Sequence, residues 1–125
     1  MRLPGGPRYN LELINGIQNP LSGVRIVIDK SETVKIVGWA VDEQAQQQAG
    51  GVEVRIDGKP YPAQFGMVRA DVAAAFHMPS YEKSGYTFAL PAAQLGTGRH
   101  MLSIRVISHD GKSYLEGNPV SFQVT

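Results

Sequence analysis

The segment Val52–Asp57 (VEVRID) alternates apolar and charged residues at every position and runs straight into Asp57-Gly58. A period of two places Val52, Val54 and Ile56 on one face of a strand and Glu53, Arg55 and Asp57 on the other. The Asp-Gly pair supplies the two positive φ angles that a type I′ hairpin turn needs. Tyr61–Phe65 is then the returning strand. Pro60 and Pro62 cannot donate to a ladder, so that strand belongs at a sheet edge.

The same signature recurs along the chain. Val24–Ile28 (VRIVI) and Thr33–Val41 (TVKIVGWAV) read as strands from their β-branched content. Leu11–Ile17 reads as a first strand punctuated by Asn15-Gly16. Gly85–Leu90 sets Tyr86, Phe88 and Leu90 against Thr87 and Ala89. Gly98–Ser108 sets Leu102, Ile104 and Val106 against Met101, Ser103, Arg105 and Ile107. Pro119–Thr125 turns Val120, Phe122 and Val124 inward. In Thr33–Val41, Gly38 stands where the apolar phase switches. A bulge there brings Val34, Ile36, Trp39 and Val41 to one core face; the alternative is a strand covered on both sides. The first reading makes Trp39, the single tryptophan, a core residue between two sheets.

One short helix is expected over Arg69–Phe76 (RADVAAAF), with Asp71 as cap and Val72 and Phe76 as anchors. Residues 42–51 (DEQAQQQAGG) form a polar loop. Six to eight half-apolar strands with one short helix predict an all-β, antiparallel sandwich, because packing sheet on sheet buries their inner faces.

The chain has 125 residues, so one domain is expected. Val, Ile, Leu and Phe make up about a quarter of it, which excludes disorder. Residues 1–10, with Pro4, Gly5, Gly6 and Pro7, read as a flexible leader or linker, and residues 11–125 as the domain. The leader is not a signal peptide, and no apolar run is long enough to span a membrane. Net charge is +1, with seven charges of each sign in residues 1–62 and five positive against four negative in residues 63–125. That balance argues against nucleic acid as a partner. The absence of cysteine removes disulfides, thiolate catalysis and cysteine-based zinc sites.

The strings GWAVD (38–42), VEVRIDGKPYPAQFG (52–66), RADV (69–72), SGYTFALP (84–91), LGTGRH (95–100) and HDGKSY (109–114) resemble a bacterial immunoglobulin-like module. The resemblance covers residues 24–125. One departure is Ala70, where such modules often carry proline. The resemblance implies an immunoglobulin-like antiparallel β-sandwich of about seven strands, with one short helical connection near residues 69–77. It also implies an extracytoplasmic location, periplasmic or cell-surface, within a larger chain. Some such modules are appended to membrane proteins, glycosyltransferases among them. No catalytic residues come with it.

The residues themselves offer little chemistry. His77, His100 and His109 have no metal-ligand spacing and read as exposed or turn residues. Asp42, Asp57 and Asp110 lie at strand ends, but the DxDxDG calcium pattern is missing. Ser103, His100 and Asp110 form a Ser/His/Asp set on paper without a GxSxG elbow. No catalytic, cofactor or metal residue is therefore assigned, and no enzyme activity is expected. Tyr61, Phe65, Arg69 and Tyr81 form the candidate surface patch, with Arg69 and Asp71 as partners. The expected role is a non-catalytic accessory or interaction module, docking other domains of its parent, monomeric when isolated. The alternative is a carbohydrate-binding module with glycan as partner.

Overall fold

The computed structural model describes residues 1–125. Seven principal strands build two sheets: β1 (Arg8–Ile14), β4 (Thr33–Asp42), β6 (Gly51–Ile56), β8 (Gln64–Met67), β9 (Gly85–Pro91), β10 (Gly98–Ile107) and β12 (Val120–Val124). Five short strands fringe them: β2 (Ile17–Gln18), β3 (Val27–Ile28), β5 (Gln47–Gln48), β7 (Lys59–Pro62) and β11 (Tyr114–Glu116). The first sheet runs β2-β1-β4-β9-β8, with β5 on β4. The second runs β3-β12-β10-β6-β7, with β11 on β10. The seven principal strands therefore take the ABED and CFG order of an immunoglobulin-type sandwich. All strand pairs are antiparallel except β3 with β12, and Arg2 makes an isolated parallel bridge to Tyr114.

The core follows from the alternation. Val52, Val54 and Ile56 of β6 face Leu102, Ile104 and Val106 of β10, and Phe122 of β12 is 2% exposed. Asp57 and Gly58 take φ of 51° and 86°, the type I′ signature, and Asn15-Gly16 does the same at 50° and 79°. Pro60 and Pro62 lie in β7, at the edge of the second sheet, as their missing donors require.

Several expectations are corrected. Strand β1 opens at Arg8 rather than Leu11, because Arg8, Tyr9 and Asn10 pair with Val41, Ala40 and Trp39. Upstream, Leu3 N–H donates to the Tyr114 carbonyl. The returning strand read as Tyr61–Phe65 divides at Ala63: β7 stays with β6, whereas β8 crosses to β9 in the other sheet. Within Val24–Ile28, only Val27–Ile28 is strand, with the Ile26 carbonyl also accepting from Gln123.

Gly38 carries no bulge. Strand β4 pairs with β9 in continuous register from Thr33 to Trp39, and the irregularity falls in β1 between Leu11 and Leu13. Val34, Ile36, Gly38 and Ala40 face the core. A Cβ at Gly38 would overlap the Asn10 carbonyl oxygen and the Tyr86 hydroxyl, so the glycine permits a close approach. The Tyr86 hydroxyl, on a fully buried ring, donates to that same carbonyl at 3.0 Å.

Trp39 consequently points outward, away from the space between the sheets. It packs edge-on to Phe76 at 5.5 Å between centroids, and Phe76 meets Tyr81 at 5.6 Å. With Val41 and Val72 these form a second apolar cluster beneath helix α1 (Ala70–Phe76). The strand is covered on both sides here, the alternative reading of its apolar run. Asp71 does not cap α1: the N-cap is Arg69, and no side chain bonds the helix start. Arg69 instead draws the Asp71 carboxylate aside.

Candidate functional site

The four residues of the candidate patch do not share one environment. Tyr61 on β7 leans on Phe88 at 5.8 Å, with the Lys59 ammonium 5.2 Å from its ring centre. Phe65 on β8 is half-buried against the main core. Tyr81 is 3% exposed, inside the cluster under α1. Arg69 is a hub. Its Nε and Nη2 donate to Asp71 at 2.9 and 2.8 Å, and its Nη1 and Nη2 donate to Glu12 at 2.6 and 3.0 Å. Tyr81 thus lies inside the fold and does not join Tyr61 in one exposed surface.

The expected Arg69–Asp71 partnership is present, and Glu12 on β1 joins it. Hydrogen bonds from Arg69 hold the Asp71 carboxyl down at about 2. The bonds to Asp71 and Glu12 raise the guanidinium in turn. The triad ties α1 to β1 across 57 residues of chain.

The Ser103/His100/Asp110 set does not assemble. Ser103 Oγ donates to Glu116 at 2.9 Å, and Asp110 accepts from Ser108 at 2.6 Å. His100, read as exposed or in a turn, is 7% exposed. Its Nδ1 meets Asp57 at 2.5 Å, and its Nε2 meets the Gly96 carbonyl at 2.8 Å. Burial pushes the His100 pKa down, but Asp57 and the Gly96 carbonyl outweigh it and the net shift is upward. Asp57 also accepts from the Met101 N–H at 2.9 Å. Asp42 accepts from the backbone N–H groups of His109 and Ala45. No three His, Asp or Glu side chains converge in metal-ligating geometry.

A second network lies on the outer face of the second sheet. Glu116, with only 10% of its side chain exposed, accepts from Arg105 at 3.0 Å and pairs with Arg55 at 3.3 Å. Burial raises the Glu116 pKa; the Arg105 and Ser103 hydrogen bonds and the two arginine charges reverse this and leave it lowered. Arg105 stacks on Tyr114 at 4.5 Å.

On the same sheet, near β3, a depression of about 370 Å³ is lined by Arg25, Arg99, Ser121 and Gln123, with Gly23 and Val24. Sequence reasoning did not group these residues. The alternation of β10 and β12 turns Arg99, Ser121 and Gln123 outward, but only strand pairing makes them neighbours.

No family model and no curated protein matches the chain. The chain is similar to a solved structure, the X-ray structure of the endo-beta-1,4-mannanase from Thermotoga petrophila, at 12% identity and a TM-score of 0.50. The match covers 82% of this chain and 18% of that one. At that identity the likeness is one of fold, and the chain spans less than a fifth of the enzyme's length.

Proposed function

We propose that this sandwich is a non-catalytic accessory module of a larger extracytoplasmic protein, which spaces or docks that protein's other domains. The observation that carries the reading is where the reactive side chains are committed. Ser103 is held by Glu116, His100 by Asp57 and Gly96, and Arg69 by Glu12 and Asp71. The carboxylate beside Ser103 is Glu116, whose charge is already paired with Arg105 and Arg55 and is thereby made a weaker base, and neither His100 nor His109 has a serine hydroxyl as its partner. The resemblance to bacterial immunoglobulin-like modules supports the same reading. So does a fold shared with a minor part of a much longer chain.

The test has two arms. A panel of chromogenic glycosides and esters, together with soluble β-1,4-mannan, is expected to show no turnover above buffer; turnover lost in His100→Ala would overturn the reading. In the parent protein, deleting residues 11–125 is expected to lower the melting temperature or the exported yield while leaving kcat unchanged.

Carbohydrate binding is the second reading. It is favoured by the likeness to an enzyme whose name places it on mannan, taken with the open polar depression on the second sheet. A glycan array separates it from a purely structural role.

A further inference from the structure

We propose that the outer face of the second sheet carries an anion subsite between Arg25 and Arg99, which takes the carboxylates of an acidic polysaccharide. The inference rests on the carbohydrate-binding reading and names its substrate class.

Strand register places the residues. Gln123 pairs with Val27 on one side and with Arg99 on the other, and Ser121 pairs with Met101. Directly paired residues point to the same face of a sheet, and residues two apart along a strand do too. Val27, Gln123, Ser121, Arg99 and Met101 therefore share one outward surface, and all are exposed. Arg25, just before β3, is also exposed and lines the depression with Arg99, Ser121 and Gln123.

Arg25 and Arg99 share with Arg2 the lack of a partner, and Arg25 and Arg99 line one depression together. Arg8, Arg55, Arg69 and Arg105 are each paired with a carboxylate. The side chains of Arg25 and Arg99 make neither an ion pair nor a hydrogen bond within the chain. Two like charges facing one depression without a counter-ion repel each other, and a bound anion relieves that repulsion. The guanidinium fork matches a carboxylate with two parallel bonds, which gives geometric selection as well as attraction.

The surroundings suit a sugar ring. The Ser121 hydroxyl and the Gln123 amide offer donors and acceptors to ring hydroxyls. Val27 and Met101, 44% and 42% exposed, offer apolar contact to ring C–H groups. Two isolated cations on a chain of net charge +1 do not make the continuous positive field that a phosphate backbone requires. Two arginines on one depression offer two contacts to a polymer that carries repeated carboxylates. A neutral glycan could accept hydrogen bonds from both guanidinium groups but would leave their charge uncompensated.

The test is calorimetric titration of the intact protein with hexagalacturonate, mannohexaose and a six-nucleotide single-stranded DNA in about 20 mM salt, where screening is weak. Hexagalacturonate is expected to bind. Arg25→Gln and Arg99→Gln are each expected to weaken it about tenfold, the loss of one charge-assisted hydrogen-bonded contact. Arg8→Gln, an exposed arginine away from the depression, is expected to change nothing. Equal affinity for the DNA would overturn the proposal by making the site a general polyanion contact. Absence of hexagalacturonate binding, or equal weakening by Arg8→Gln, would overturn it as well. Binding of mannohexaose alone, untouched by either variant, would overturn the anion subsite while leaving the carbohydrate-binding reading standing. A blank glycan array would remove both.

Discussion

His100 and Asp57, 43 residues apart in the chain, meet with Nδ1 and Oδ2 2.5 Å from each other. Asp57 is also the first residue of the β6–β7 turn. One carboxylate therefore shapes a hairpin and pins the neighbouring strand β10. Because the folded pKa of His100 is raised above 6.5, the pair's contribution is complete below that value and is lost as pH rises through the folded pKa. The melting temperature should fall from mildly acidic to mildly alkaline pH, and His100→Gln should flatten that fall. A fall that persists unchanged in His100→Gln would refute this assignment.

On the acid side the sign reverses. Asp57 and Glu116 are both lowered in the folded state, so their contribution is present above about 4 and is lost as pH drops through their folded values. Removing Glu116 leaves Arg55 without its carboxylate and Arg105 with only the longer contact to Glu53 at 3.8 Å. Glu116→Ala should destabilise by about 3 kcal/mol, the range for breaking a largely buried pair. Urea unfolding measures it, and a loss under about 1 kcal/mol would show that water already shields the cluster.

Gly38 tests the close approach of β1 to β4. Gly38→Ala should destabilise by about 1–3 kcal/mol through overpacking. The same change made in a Tyr86→Phe background should be somewhat smaller, because the hydroxyl is gone while the ring Cζ and the Asn10 carbonyl remain. Strictly additive values in the double-mutant cycle would separate Gly38 from Tyr86.

Trp39 is half-buried, so Trp39→Ala should cost about 1.5–3 kcal/mol, less than Phe122→Ala in the sandwich core at about 3–5 kcal/mol. Its fluorescence should be partly quenched by iodide. Equal costs for the two substitutions would return Trp39 to the core.

The edge strand β7 with its two prolines opposes pairing between copies. Sedimentation should give one species at 13.6 kDa across micromolar dilution. A species of twice that mass would locate association at the other edge, beside β3.

Strands were legible wherever alternation runs unbroken, as in residues 52–57, 98–107 and 120–124, and the type I′ turn at Asp57-Gly58 needed no tertiary information. The orientation of β4 was not legible. Both of its faces carry apolar residues, Val34, Ile36 and Ala40 on one and Val37, Trp39 and Val41 on the other. The choice was made by Tyr86 and Asn10 crowding Gly38, and by α1 covering the second face. The switch of Gln64–Met67 to the other sheet is likewise a matter of long-range pairing. The polar groupings were hidden for the same reason. Only tertiary contact joins Glu12 to Arg69 or Asp57 to His100, and only strand register sets Arg99 beside Gln123.

The one parallel pair of strands, β3 beside β12, gives the fold a mechanical direction. The Gln123 and Thr125 N–H groups donate to the Ile26 and Ile28 carbonyls, and the Lys30 N–H donates to the Thr125 carbonyl. Tension drawn between β12 and β3 pulls the two strands along each other, so the bonds are loaded together in shear instead of opening one by one. A module strung between other domains would take load on its N-terminal side through β1 and its pairing with β4, and on its C-terminal side through β12, which passes it to β3 in shear.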